Sequence, residues 1–271
     1  MVDMHVHSWW SDGDRSVKEL IQMAEEKGIR GIVICDHDTF SGASEVKEAA
    51  LETGYPVSLG IEISCMDPVS RKQVHILGYG LDEAGQRKID AYCRPIRESM
   101  QPAVKKSIEA LENVGYPVTV SEVEALAGPG GGIFKQMVME ILIQKGCCKE
   151  LYGSLYKELF KTGRDGQPPI ARLTPQYGDP IEAVKQIRMA GGAPVLAHPG
   201  QYDNFDLVPA LVQAGLLGIE AYHPKNDVEE IKRAVELAEQ YGLQMTGGSD
   251  FHGRFGEGEV LGQDWVMHNP F

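Results

Sequence analysis

The sequence predicts an α/β fold, a parallel sheet or barrel interrupted by a helical insertion. Three observations carry this. Short apolar runs alternate with amphipathic helical stretches from Val2 to Gly80, the alternation resumes at Asp179, and the segment between, about Leu81 to Pro168, is helix-rich. Strand–helix–strand alternation favours helices laid on a parallel sheet over a sandwich.

Val2–Ser8 reads as the first strand. Ser16, with Glu19 three residues on, is a capping box for a helix carrying Leu20, Ile21 and Ala24 that stops at Gly28. Gly31–Asp36 is a second strand ending in Asp36-His37-Asp38-Thr39, and a helix over Ala43–Glu52 is stopped by Gly54. Val57–Ser64 and Gln73–Gly80 are a third and fourth strand, with Pro68 in the turn between them. The insertion holds helices over Gly85–Gly115, Ser121–Leu126, Lys135–Lys145 and Lys149–Lys161. Its Gly128-Pro129-Gly130-Gly131-Gly132 cluster lacks the spacing and preceding strand of a phosphate loop and reads as a flexible connector. After Asp179 come a helix to Gly191, a strand over Ala193–Ala197, a helix over Leu207–Ala214, a strand over Gly218–Tyr222, a helix over Asp227–Tyr241 and a strand over Leu243–Gly247. Residues 1–82 and 169–271 are thus expected to form one α/β body, and 83–168 a cap over its functional face.

The 271 residues, 42% of them hydrophobic, suffice for a large core and an enzyme. A net charge of −13 argues against general affinity for nucleic-acid backbones or anionic membranes, so an anionic substrate must be attracted locally. The five cysteines are odd in number and include no C-x-x-C, which suggests neither a disulfide framework nor a structural zinc site. No signal-peptide pattern and no 18-residue apolar stretch occurs, so a soluble, cytoplasmic protein is expected.

Six of the eight histidines fall in short pieces that resemble metal-ligand sets: Asp3-Met4-His5-Val6-His7, Asp36-His37-Asp38, Val74-His75-Ile76, Ala197-His198-Pro199 and Ser249-Asp250-Phe251-His252. Neutral imidazole is a good ligand for zinc, iron and manganese, and carboxylates supply the charge that lets several dications sit together. His5 and His7, two apart on a strand, point to one face. One His-x-His pair is weak evidence, but five such pieces at helix-plus-strand intervals are strong. In α/β barrels functional groups collect at the carboxyl ends of strands, where His37, Glu62, His198, His223 and Asp250 fall.

Together with Ser11-Asp12-Gly13, Gly60-Ile61-Glu62-Ile63 and His75-Ile76-Leu77-Gly78-Tyr79, these pieces resemble the polymerase-and-histidinol-phosphatase (PHP) family, from Val2 to about His252. The closest branch is that of stand-alone phosphoesterases with a helical insertion. The resemblance implies a distorted (β/α)7 barrel with an inserted helical cap and two to three divalent ions, Mn, Fe or Zn. Carried over by motif, His5, His7, Glu62 and Asp250 would hold the first ion; Glu62, His75 and His198 the second, with Glu62 bridging; and Asp12, His37 and His252 the third. Clustered dications bind phosphoryl oxygens and deprotonate a bridging water toward neutral pH, so hydrolysis by a metal-bridging hydroxide is the natural reaction.

The leaving group needs a proton, and His223 is either that donor or a structural strand-end histidine. Asp3 and Asp36 are expected to orient imidazoles. Asp38 is expected to cap the following helix, with orientation of His37 as the alternative. Trp9 and Trp10 either wall the cleft or are covered by the cap. Many relatives carry arginine after His-Pro-Gly, where this chain has Gln201, and an arginine-rich motif in the insertion, of which only Lys135 survives. Glutamine cannot replace a bidentate arginine without changing how a phosphate is held. Arg164 and Arg172 are further candidate phosphate contacts.

The expected activity is hydrolysis of a small phosphorylated metabolite, a phosphomonoester or cyclic phosphodiester, with extended nucleic acid disfavoured. The alternatives are a nucleoside 3',5'-bisphosphate phosphatase or 5'-3' exonuclease on short RNA, a C–N hydrolase of amidohydrolase type, and a non-catalytic metal-bound scaffold.

Overall fold

A computed structural model describes all 271 residues. The strands form two sheets. The first contains β1 (Asp3–Val6), β2 (Ile32–Ile34) and β3 (Val57–Leu59), all parallel. The second contains β4 (Ile61–Met66), β5 (Gln73–Tyr79), β6 (Ala193–Leu196), β7 (Gly218–Tyr222) and β8 (Gln244–Gly247), in chain order. The expected all-parallel pattern is corrected here, because β5 runs antiparallel to both β4 and β6 while β6, β7 and β8 are parallel. The link from β4 to β5 is a short turn closed by Asp67 N–H donating to Lys72 O at 3.0 Å, and such a link permits only an antiparallel pair.

The single strand expected over Val57–Ser64 is two, divided at Gly60, where the chain passes from one sheet to the other. Isolated bridges join the sheets at both seams, His37 to Glu62 and Val6 to Phe251, and no continuous ladder closes the ring. Met4, Val33, Cys35, Leu77, Tyr79 and Val195, drawn from strands of both sheets, pack as one buried cluster between them.

Helices cover the outer faces. The Ser16–Glu19 capping box forms, opening α1 (Val17–Glu26), which buries Val17, Leu20, Ile21 and Ala24. Next, α2 (Ala43–Thr53) ends at a left-handed Gly54. The insertion follows β5 with α3 (Glu83–Asn113), α4 (Val120–Glu124), α5 (Lys135–Gln144) and α6 (Ser154–Tyr156). The helix expected over Lys149–Lys161 starts only at Ser154 and becomes a π-helical turn over Lys157–Thr162. The insertion has its own core, including Val104, Ile108, Leu142, Leu159 and Phe160, into which Phe255 reaches from beyond β8. The chain then returns through α7 (Pro180–Met189), α8 (Pro199–Tyr202), α9 (Val208–Ala214) and α10 (Val228–Tyr241).

The glycine cluster is a close-packed seam and not the flexible connector expected. A Cβ on Gly128 would lie 2.0 Å from the Trp9 carbonyl oxygen, and one on Gly130 2.5 Å from that of Trp10. Both indole N–H groups donate to Glu45 Oε2, which fixes Trp9 and Trp10 beneath the insertion. No helix is long and apolar enough to cross a membrane.

Candidate metal centre

The strand ends of both sheets deliver imidazoles and carboxylates to one point, and Glu62 in β4 is its middle. Its Oε1 lies 2.6 Å from His75 Nδ1 and 2.9 Å from His198 Nε2. Its Oε2 lies 3.2 Å from His5 Nε2, 3.1 Å from His7 Nε2 and 3.4 Å from His37 Nδ1. Beside it, Asp250 Oδ1 is 3.1 Å from His7 Nε2, and Asp12 Oδ1 is 3.3 Å from His252 Nε2 and 3.4 Å from His7 Nδ1. All nine expected ligand positions therefore come together across residues far apart in the chain.

The donor set fits divalent cations. Ligand-capable atoms of His5, His7, Glu62 and Asp250 lie within 4.8 Å of one another, as do those of His7, Asp12, His37 and His252, and those of His37, Glu62 and His75. His5 Nε2 and His7 Nε2 face each other at 3.2 Å, an arrangement in which two lone pairs can share a cation. The buried His7 Nδ1, His37 Nδ1, His198 Nδ1 and Asp250 Oδ1 make no hydrogen bond, although buried polar atoms are normally paired. Burial pushes the Glu62 carboxyl up, but His37, His75 and His5 outweigh it and hold it well below the usual carboxylate range. Asp250 is held low against burial by His5 and His252, and Asp12 by His252 and His37.

Backbone geometry at the centre is unusual. Asp38, His198 and Asp250 have φ of 57°, 24° and 52°. Non-glycine residues at positive φ carry strain, which folded structures tolerate chiefly at functional sites. Gly248, just before Asp250, must lack a side chain, because a Cβ there would sit 2.4 Å from that of His5.

Several sequence-level roles are revised. Asp3 and Asp36 do not orient imidazoles. Asp3 accepts from Ser249 N–H and Oγ and from Gly262 N–H, and Asp36 accepts from Ser8 N–H and Oγ and Ser11 Oγ. They pin the loops that carry the ligands. Asp38 caps no helix; its Oδ1 accepts from Ser64 N–H at 2.8 Å, and its carbonyl accepts from Arg97. The carboxylate that orients an imidazole is Glu220, whose Oε1 is 3.1 Å from His5 Nδ1.

His223 is fully buried and lines neither cavity of the cleft. Its Nδ1 accepts from Lys225 N–H at 3.0 Å, and its Nε2, which makes no hydrogen bond, lies 3.4 Å from Asp250 Oδ2. It adjoins Asp250 without opening on the cleft.

Two cavities open over the centre and share Asp12, His37, His75, Lys135, Gln136 and Tyr202, so they are arms of one cleft. The first, about 350 Å³, is walled by Trp10, Phe134, Leu173 and Tyr177. The second, about 490 Å³, is walled by Tyr152, Tyr156, Lys157, Lys161, Gln201 and Lys225. Lys135 and Gln201 thus reach the cleft as expected. Arg164 and Arg172 do not: Arg164 is exposed and paired with Glu158 and Asp165, and Arg172 is exposed away from both cavities. Gln136, which the sequence did not single out, donates from Nε2 to Asp12 Oδ2 at 2.8 Å and ties the insertion to the centre.

Comparison with known proteins places these features in context. The PHP domain model matches residues 3–128. The chain is 36% identical over 254 residues, 94% of its length and 95% of the relative's, to the phosphoribosyl 1,2-cyclic phosphate 1,2-diphosphodiesterase of Eggerthella lenta. It is 29% identical to the 3',5'-nucleoside bisphosphate phosphatase of Chromobacterium violaceum, over 93% of this chain and 87% of the relative. Its fold matches that of a Bifidobacterium adolescentis protein assigned as a metal-dependent phosphoesterase with a TM-score of 0.86 and 26% identity, covering 98% of this chain and 92% of the other.

Proposed function

This chain belongs to the PHP family of metal-dependent phosphoesterases, and from that premise we propose that it hydrolyses a small phosphorylated metabolite, a phosphomonoester or a cyclic phosphodiester, at the Glu62-centred cluster. It is a phosphoric ester hydrolase. The observation that carries the reading is the single carboxylate of Glu62 within 3.4 Å of five imidazoles, beside histidine nitrogens that lack hydrogen-bond partners.

In this reading His5, His7, Glu62 and Asp250 hold one divalent ion, Glu62, His75 and His198 a second, and Asp12, His37 and His252 a third, drawn from Mn, Fe or Zn. Such ions bind phosphoryl oxygens, acidify a shared water and offset charge on the attacking and leaving oxygens. The protein supplies orientation. Glu220 fixes the His5 ring, and Gln136 holds one oxygen of Asp12. Tyr202 stands edge-on to His75 and His198, with ring centroids 5.6 and 5.7 Å away, and forms part of the cleft wall.

The two sheets read as a distorted (β/α)7 barrel of residues 1–82 and 169–271 capped by 83–168, supported by the bridges at both seams and the cluster packed between them. Five unpaired cysteines suit a reducing, cytoplasmic location.

A second reading, a nucleoside bisphosphatase or short-RNA exonuclease, draws on the aromatic wall of the smaller arm, where a base can stack. Gln201 in place of arginine and the net charge of −13 weigh against it. The C–N hydrolase reading loses support because Glu62 occupies the middle-strand position that such enzymes give to lysine.

The test is to load the purified protein with manganese and screen phosphomonoesters, cyclic phosphodiesters and short oligoribonucleotides. Turnover of a small ester that is lost on chelation is the expected result. No turnover of any phosphate ester in a metal-replete preparation overturns the proposal.

A further inference from the structure

Asp12, His37 and His252 differ from the other ligand positions in what the insertion does to them. Gln136 of α5 donates to Asp12 Oδ2 at 2.8 Å. Arg97 of α3 donates from Nη1 to the carbonyl of Asp38, the residue after His37, and from Nη2 to Asp90 Oδ2 at 3.1 Å. Asp90 Oδ1 in turn accepts Phe40 N–H at 3.5 Å, so Arg97 and Asp90 together grip the turn that follows His37. Tyr152 donates from Oη to the carbonyl of Phe255 at 3.1 Å, and Phe255, whose ring lies in the insertion core, donates its N–H to the carbonyl of His252 at 3.4 Å. Each member of the group is thus reached from the insertion. By contrast, no hydrogen bond from residues 83–168 comes within three residues of His5, Glu62 or His198, and the one near His75, from Lys161 Nζ, ends on the Gln73 side chain.

The helix that carries Arg97 passes from one core to the other. Ile89, Cys93 and Ile96 pack in the core beneath β4, β5 and β6, while Val104, Ile108 and Leu111 pack in that of the insertion. Pro95 and Pro102 bracket the crossing, and each removes a backbone hydrogen bond from the helix interior. Side chains on this stretch therefore matter to how the insertion sits. Asp38 keeps a φ of 57°, a strained conformation that persists only where its surroundings over-determine it. Three restraints do so: its N–H donates to Glu62 O at 2.9 Å, its Oδ1 accepts from Ser64 N–H, and its carbonyl accepts from Arg97. Only the last comes from the insertion.

We propose that Asp12, His37 and His252 form a cation site shared between the α/β body and the insertion, with Arg97, Gln136 and Tyr152 as positioning residues, so that a divalent ion binds there tightly only while the insertion is docked. This rests on the metal-centre part of the phosphoesterase reading and adds that one ion is coupled to the cap, while the ligands around Glu62 are set without it. Such coupling is reciprocal. An ion held there stabilises docking by the same factor by which docking raises its affinity.

The probe is Mn²⁺ added to metal-free protein, followed by calorimetric titration and by amide hydrogen exchange over 130–133, in the seam against Trp10. In R97M and in Y152F one manganese equivalent is expected to weaken by about 10–100-fold while the others keep their affinity, and R97K is expected to restore part of the loss. In an H37A background neither substitution changes the titration further, because the site that they support is already broken. Saturation with manganese slows seam exchange in the wild type and in H198A, and does not in H37A. Y152F removes only a hydroxyl, and a melting temperature of its metal-free form equal to that of the wild type shows that it folds.

Equal weakening of every equivalent, a titration unchanged in both R97M and Y152F, or seam exchange indifferent to manganese overturns the shared site. Turnover, measured separately, distinguishes the two proposals. Selective weakening of one equivalent in a protein that turns over no phosphate ester sinks the phosphoesterase reading and keeps the shared site, and turnover with equivalents that ignore the insertion does the reverse.

Discussion

The centre and the cap wall face each other across one cleft and are built by opposite means. Around Glu62, imidazoles and carboxylates are packed into one largely buried cluster, five rings within 3.4 Å of one carboxylate, on backbone that is strained at His198 and Asp250. On the cleft wall that carries Lys135, Lys157 and Lys161, none of these three lysines is in an ion pair, while Lys225 pairs with Glu257 and Glu259. A buried cluster of this kind is over-determined, so removing one member leaves its partners uncompensated. The wall, whose charges are not interlocked in this way, is expected to tolerate change better. Chemistry and choice of substrate are therefore expected to separate between the two.

The strongest way to break that division is at Glu62. Glu62→Gln should lower turnover of an aryl phosphate by roughly a thousandfold or more, the several kcal/mol that metal catalysis supplies, and should reduce bound metal measured by elemental analysis. His198→Ala should behave alike. Undiminished turnover in either would remove Glu62 from the middle of the reaction.

A smaller effect is expected where the two walls touch. Gln136→Leu frees Asp12 Oδ2 and should weaken the tightest-responding metal by about 10–100-fold, as loss of a ligand's supporting hydrogen bond typically does. A metal titration that superimposes on the wild type would show that the cap does not influence the centre. Gly128→Ala acts on the same seam through packing. The new Cβ meets a backbone carbonyl, so about 1–3 kcal/mol of stability should be lost. The melting temperature should then fall by roughly 2–4 °C for each kcal/mol; an unaltered melt would mean that the seam gives way freely.

The mildest changes belong to selectivity. Gln201→Arg should shift preference toward nucleotide phosphates by a few-fold while leaving metal content alone, and no shift would exclude position 201 from substrate contact. Arg164→Ala and Arg172→Ala, both remote from the cleft, should leave kcat/KM within about twofold, the behaviour of surface changes. A larger loss would restore them as candidates.

The ligands were legible because each lies in a short motif whose chemistry is local. His5 and His7 declare themselves by spacing on a strand, and His198 and Asp250 by their place at strand ends. Their supports were not legible. Glu220 reaches His5 from 215 residues away, and Gln136 reaches Asp12 from 124, so both depend on docking that no local pattern encodes. Asp3 and Asp36 misled because their partners are serine hydroxyls of other loops. The alternation of elements disclosed the α/β class, but the reversal at β5 hangs on one short turn, and the π-turn is invisible to a 3.6-residue period.

The pairing of β1 with the segment after β8 has a consequence for how the protein is made. His5 accepts Asp250 N–H on its carbonyl at 2.8 Å, yet roughly 240 residues separate the two in sequence. At about 5–20 residues per second of synthesis, a nascent chain displays its first two histidines for some tens of seconds before the carboxylate that completes their set emerges. A centre of the proposed kind is therefore completed only once the last strand docks, so its assembly is tied to the end of synthesis and not to the appearance of the first motif.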